Sequence, residues 1–252
     1  MPSMIDPILI SGATSGIGLE LAKSLISKGR LIIAAGRNYD KFLSTIYAWS
    51  VENNCSELCR WIEFDFSNTT GFSQSEFDKV PQLSGFVNCA GVLPISPLKL
   101  QKSADIIEAF NINLVSPVLL TRELLRSKKI VKNSSVVFIS SINGLRVGSK
   151  AHACYSATKA GISGFVMSLA NEVSTQGIRV NAIAPATVDT PMLSKTRGLI
   201  GEEKFNAYMN QYPLGIGSPF SIIPLIEFLL DETSSKWITG QTLVVDGGFT
   251  LN

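Results

Sequence analysis

A single-domain α/β fold, with a doubly wound parallel sheet of about seven strands flanked by helices on both faces, is predicted by three observations on this sequence. Short runs rich in aliphatic and β-branched residues recur at Pro7–Ser11, Leu31–Gly36, Trp61–Asp65, Gly85–Cys89, Ser135–Ser141, Ile178–Ala184 and Thr242–Asp246. Most are apolar on both faces, as strands buried between two helical layers must be. Stretches of helical period lie between them, the order of strands joined by crossover helices. No linker, repeat or low-complexity segment divides residues 1–252, so one domain is expected.

Leu19–Lys28 puts Leu21, Leu25 and Ile26 on one helix face, with Gly29 as its stop. Ala104–Leu125 and His152–Thr175 read as two longer helices. The segment at about 187–218 breaks the rhythm. It carries Pro191 and Pro213, with Pro219 at its edge, several glycines, and only a short helical pattern around Glu202–Gln211. Insertions of about 30 residues in compact domains are commonly functional, so this one is expected to be a substrate lid. Met192, Leu193, Phe205, Tyr208 and Met209 would make it partly apolar.

The chain is 45% hydrophobic and 17% charged, against about 25% charged in ordinary soluble domains, which argues against disorder. A net charge of +2 gives no reason to expect nucleic-acid binding. The opening MPSMIDPILI has no basic segment before an apolar run, so no signal peptide is expected. Unbroken apolar runs such as Leu31–Ala35 fall short of the roughly 18 residues a membrane span needs. A soluble, cytoplasmic protein is the expectation. Cys55, Cys59, Cys89 and Cys154 are too few and scattered for a disulfide framework. Cys55 and Cys59 are spaced to share a helix face, but with one His in the chain no metal site is expected.

The first strand runs into Ser11-Gly12-Ala13-Thr14-Ser15-Gly16-Ile17-Gly18 and then a helix. Glycines there permit a tight turn and close approach of backbone to a pyrophosphate, with free N–H groups at the helix start. This predicts a Rossmann-like dinucleotide site. At the end of the second strand an acidic residue would accept the ribose 2′-hydroxyl of NAD, whereas Ala35-Gly36-Arg37-Asn38 supplies an arginine suited to a 2′-phosphate. NADP(H) is therefore expected, with NAD(H) possible because Asp40 lies close by in sequence. Asp65, closing the third strand, would meet the adenine edge.

Tyr155-Ser156-Ala157-Thr158-Lys159 places a phenol and an ammonium four residues apart on one helix face. A neighbouring cation favours tyrosinate and would lower the phenol's pKa toward neutrality, making Tyr155 a usable acid/base. Upstream, Val136–Ile139 reads as a buried strand ending in Ser140 and Ser141, at the sheet edge where ligands bind. Ser141 can hydrogen-bond a substrate carbonyl there, with Ser140 as the alternative.

Taken together these residues resemble a short-chain dehydrogenase/reductase over essentially the whole chain. The matching segments are Gly12-x-x-x-Gly16-x-Gly18, Asn88-Cys89-Ala90-Gly91, Asn111-Ile112-Asn113, Ser140-Ser141, Tyr155-x-x-x-Lys159, Ile178-Arg179-Val180-Asn181, Thr239-Gly240-Gln241 and Asp246-Gly247-Gly248. The resemblance implies Tyr155 as general acid/base and Ser141 as the residue that polarises and positions the carbonyl. It implies Lys159 on the nicotinamide ribose and Asn113 holding a water that links Lys159 to solvent. For the cofactor it implies Gly12, Ser15, Gly16, Ile17, Gly18, Arg37, Asp65, Asn88, Ala90 and Thr190, together with Tyr155 and Lys159. Three departures stand out: Ser11 for the usual Thr, Ala186 for the usual Gly, and one extra residue after Gly144. Ala there puts the backbone path in question, because Ala tolerates positive φ poorly.

The general pattern is nearest to 3-oxoacyl-carrier-protein reductases, whose basic residues meet an acidic carrier. Arg126, Lys128 and Lys129 would serve one such patch, but Asn171 stands where the second basic residue is expected. The substrate is otherwise expected to be a small carbonyl or alcohol, including sugar-derived ketones, with Leu145, His152 and Cys154 facing the pocket. A non-catalytic NADP-binding sensor on the same fold is the rival from another class. A homotetramer or homodimer is also expected. The long helices carry Ala157, Ala160, Gly161, Ser163 and Gly164, and the resemblance implies a four-helix interface and a second one at the C-terminal strand.

Overall fold

The computed structural model describes residues 7–67, 72 and 77–251. The opening segment read for a signal peptide lies, through residue 6, outside them. Among the described residues β1 (Ile8–Ser11), β2 (Ile32–Gly36), β3 (Cys59–Glu63), β4 (Leu83–Asn88), β5 (Ile130–Ile139), β6 (Arg179–Pro185) and β7 (Thr242–Val245) form one sheet. Every pairing is parallel and the order is β3-β2-β1-β4-β5-β6-β7. The order reverses between β1 and β4, where Ser11 pairs with Asn88 and a crevice opens beyond the strand ends.

The pleat divides each strand between two cores. Leu9, Ile33, Phe86, Val136 and Phe138 point to one face, under Leu120, Leu124, Ile162 and Val166. Ile8, Ile10, Ile32, Val87 and Val137 point to the other, under Leu21, Leu25, Ile222 and Ile226. Apolar residues on both sides of the strands are thus matched by helices on both sides of the sheet.

The segment predicted as one helix over Ala104–Leu125 is helical throughout, but the α-helices Ser103–Phe110 and Ser116–Arg126 are joined by a π turn at Asn111–Val115. Among the described residues this run is the one long and apolar enough to cross a membrane, a property that counting unbroken apolar residues missed. Its inner side packs on the sheet through Leu120 and Leu124. The second long helix spans Ala153–Val173. The lid is more regular than predicted, with helices at Pro191–Ile200 and Glu202–Met209. Pro191 starts a helix there rather than breaking one, since the first helical position needs no N–H donor.

Two smaller readings are corrected. Cys55 lies in the irregular stretch before the short helix Ser56–Leu58 and Cys59 opens β3, so they share no helix face; all four cysteines are free. Gly161 and Ser163 are used inside the chain: a Cβ on Gly161 would lie 2.8 Å from Leu114, and the buried Ser163 hydroxyl meets Ser140. Gly164, with nothing within 4 Å, remains open.

Candidate active site

The glycine turn is required by contact. Gly12 has φ +69°, and a Cβ there would lie 2.8 Å from the backbone nitrogen of Ala90. A Cβ on Gly18 would lie 2.4 Å from the carbonyl oxygen of Gly12. Side chains would therefore push the turn away from the crevice. Helix α1 (Gly16–Ser27) begins after extended Ser15, whose side chain makes no capping bond, so the first-turn N–H groups stay available to an anion. Gly16 also has positive φ (+54°) and faces Thr190, whose Cγ2 would stand 3.3 Å from a Cβ at Gly16. The glycine turn and the start of the lid thus face each other across a cleft of about 940 Å³, lined by Ser15, Gly91, Val92, Thr190 and Met192 among others. This cradle fits a dinucleotide pyrophosphate.

Asn88 is buried, and its Oδ1 accepts the Ser11 hydroxyl at 2.7 Å; that same hydroxyl accepts the Ala90 N–H at 3.2 Å. Serine in place of threonine therefore keeps its bonds, and the Asn88 side chain ties β4 to β1. Arg37 is exposed just past β2. Asp65 lies two residues beyond the end of β3 rather than in it. The hydroxyl of Ser67 (2.7 Å) and its N–H (2.9 Å) hold the Asp65 carboxyl below the usual range, with a smaller contribution from Arg37.

Ser141, Tyr155, Lys159 and Asn113 come together beside this cleft. Lys159 is buried and its Nζ donates to the carbonyl of Ile139 at 2.8 Å, while standing 5.7 Å from the centre of the Tyr155 ring. Asn113 sits in the π turn, wholly buried. Its Oδ1 accepts the Val92 N–H at 2.8 Å, and its Nδ2 donates to Val92 O (2.9 Å) and Thr158 Oγ1 (3.2 Å). A Cβ on Gly91 would lie 3.3 Å from Asn113 Oδ1 and 3.6 Å from Lys159 Nζ, so Gly91 leaves room between them. Ser140, the alternative to Ser141, points away: its hydroxyl donates to the Lys159 carbonyl at 2.9 Å. Ser141 makes the hydrogen bond to Tyr155.

The electrostatics differ from the expectation that Lys159 would lower the tyrosine. Burial pushes the Tyr155 phenol above its ordinary pKa, and the Ser141 hydrogen bond only partly opposes it. The same burial brings Lys159 down to about 8, with Cys89 acting weakly the other way.

In the loop after Ser141 it is Asn143, a residue the sequence did not single out, rather than the expected Leu145 that meets this serine. Asn143 donates its N–H to Ser141 Oγ at 3.1 Å, and its Oδ1 is buried without a partner. His152 stacks edge-on against Tyr155 at 6.2 Å, and its Nδ1 meets the Lys150 carbonyl at 2.7 Å. Leu145 is exposed and Cys154 is buried, and neither lines the cleft or the smaller cavity at the lid's end. Ala186 does not have positive φ; its N–H donates to Val245 O at 3.2 Å, so the departure from Gly leaves the backbone path regular. In the lid, Tyr212 donates to Thr187 Oγ1 at 2.6 Å and packs on Phe249 at 4.7 Å, anchoring the lid's end beside β6.

A doubly wound parallel sheet with a glycine-lined crevice at its switch point defines a Rossmann-like nucleotide-binding protein. The short chain dehydrogenase family model matches residues 6–198. The chain belongs to that family of oxidoreductases. It is 33% identical over 248 residues to carbonyl reductase family member 4 of Danio rerio, covering 96% of this chain and 97% of that one. It is 32% identical over 244 residues to the 3-oxoacyl-acyl-carrier-protein reductase of Rickettsia felis, covering 96% of each. Among solved structures it is similar to 4-hydroxyisoleucine dehydrogenase complexed with NADH, with a TM-score of 0.84 and 27% identity over 98% of this chain and 99% of that one. An actinorhodin polyketide ketoreductase variant with NADPH shares the fold, with a TM-score of 0.86 at 24% identity over the full length of both chains.

Proposed function

We propose that this protein is an NADP(H)-dependent oxidoreductase that interconverts a ketone and a secondary alcohol. The observation that carries it is the convergence of Ser141, Tyr155 and Lys159 beside the glycine-lined cleft. A bound nicotinamide dinucleotide supplies or takes the hydride. Residues 12–18, Asn88, Ala90 and Thr190 hold it, with Arg37 on a 2′-phosphate and Asp65 at the adenine. Ser141 donates a hydrogen bond to the substrate carbonyl oxygen and aligns it with Tyr155. A phenol held protonated by burial is the form required to give its proton to that oxygen in the reductive direction. Lys159, protonated at neutral pH, binds the nicotinamide ribose, and Asn113 holds a water that returns the proton from solvent. The protein works as one domain over residues 1–252, closed by the lid at 187–218, in the cytoplasm, as a homotetramer or homodimer with Gly164 and Ala157 at the helix interface.

A second reading, reduction of a 3-oxoacyl thioester on an acyl carrier protein, is favoured by the Rickettsia felis relative and weakened by Asn171. An NADPH-oxidation screen over diverse ketones, including acetoacetyl thioesters, tests both. Turnover of a ketone with NADPH supports the proposal. NADPH binding with no turnover of any carbonyl would return the protein to the non-catalytic sensor class.

A further inference from the structure

We infer that Arg146 is the anchor of an anion subsite, so that the ketone this enzyme reduces carries a carboxylate or phosphate; this rests on the oxidoreductase reading above. A second cavity, of about 590 Å³, lies between Arg146 in the loop after Ser141, Asn210, Gln211 and Pro213 at the end of the lid, and Phe249 near the C-terminus.

The loop is fixed at both ends relative to the reacting groups. Ser141 Oγ accepts the Asn143 N–H, and the N–H groups of Arg146 and Val147 both donate to Ile142 O, at 2.8 and 3.1 Å. Gly144, at φ +83°, lies so close to the carbonyl of Ser156 that a Cβ would come within 2.2 Å of its oxygen. Arg146 is therefore held five residues from Ser141, on a loop clamped to the residue after Tyr155. The opposite wall is held by Tyr212, through Thr187 and Phe249.

The chemistry of this cavity is one-sided. Among the described residues the Arg146 guanidinium makes no hydrogen bond or ion pair, whereas Arg197 in the lid is paired with Glu202. Among the described residues no acidic side chain lines the cavity. The carboxylate of the neighbouring turn, Asp246, already accepts from Gly248 N (3.0 Å), Thr250 N (2.9 Å) and Thr250 Oγ1 (2.6 Å). A lone guanidinium fork beside the Asn210 amide fits an oxyanion and offers nothing specific to a neutral chain.

The test compares kcat/KM with NADPH for straight-chain methyl-ketone acids, from acetoacetate to 7-oxooctanoate, each against its methyl ester. A second arm compares dihydroxyacetone phosphate with dihydroxyacetone. At least one anion is expected to exceed its neutral counterpart by about tenfold or more, through KM. Arg146→Gln should bring that ratio close to one, and Arg146→Lys should retain part of it. NADPH fluorescence titration of both variants shows that each is folded. The arm that responds identifies carboxylate or phosphate. Equal or better use of every neutral counterpart, or an anion preference that survives in Arg146→Gln, overturns the subsite while leaving the oxidoreductase reading intact. Intact NADPH binding with no ketone turned over, charged or neutral, removes both.

Discussion

Lys159 donates to the carbonyl of Ile139 at 2.8 Å while its ammonium stands 5.7 Å from the centre of the Tyr155 ring. The cation is thus held by the strand that ends just before Ser140 and Ser141, and is poised beside the phenol without bonding it. Its burial has a thermodynamic consequence that separates function from stability.

A lysine whose folded pKa of about 8 lies below its ordinary 10.5 is disfavoured in its charged form by folding. The unfolded chain binds more protons between those values, so stability attributable to this group rises with pH through that window. Below pH 8 the full penalty stands, of the order of 3 kcal/mol. Lys159→Met should therefore raise the melting temperature of the ligand-free protein at pH 7 by several degrees, an advantage that shrinks as pH approaches 10. Differential scanning fluorimetry across that range checks it. A lower melting temperature for the variant at pH 7 would show that the bond to Ile139 outweighs desolvation.

Arg37→Asp should weaken NADPH and favour NADH, moving the ratio of their dissociation constants by about tenfold or more, since a charge-assisted contact is exchanged for a repulsion. Fluorescence titration with both dinucleotides measures it. An unchanged ratio would assign the 2′-phosphate to another residue.

Two glycines of positive or crowded geometry separate strain from clash. Gly29 has φ +73° with nothing within 4 Å, so Gly29→Ala should cost about 1 kcal/mol from backbone conformation alone. A Cβ at Gly18 would stand 2.4 Å from Gly12 O, so Gly18→Ala must displace the turn; it should cost more than Gly29→Ala and abolish NADPH binding. Urea unfolding and NADPH titration of the pair read both effects. Normal NADPH affinity in Gly18→Ala would mean the turn does not cradle the dinucleotide.

The sheet was legible because most of its strands are apolar on both faces, a pattern that neither half-exposed strands nor amphipathic helices share. The π turn at Asn111–Val115 was not, since it differs from an α-helix only in hydrogen-bond register. The first lid helix was hidden by Pro191, which reads as a breaker until its position at the helix start is known. Motif residues were found easily, but their roles divide. Arg179 is buried, its guanidinium donating to Leu229 O and Ser235 Oγ, and Asn181 bonds Ile238 O and Gln241 N. These two residues therefore staple β6 to the stretch at 229–241 rather than meeting a ligand. Arg146 carried no local signal at all. Only the fold brings the lid's end and the C-terminal turn around it.

Single-turnover oxidation of NADPH by Tyr155→Phe, with a ketone found by the screen, tests most directly whether this phenol supplies the proton. A fall of about 10²–10⁴-fold in the rate is expected, with NADPH affinity nearly unchanged. A rate equal to that of the unmodified protein would contradict it.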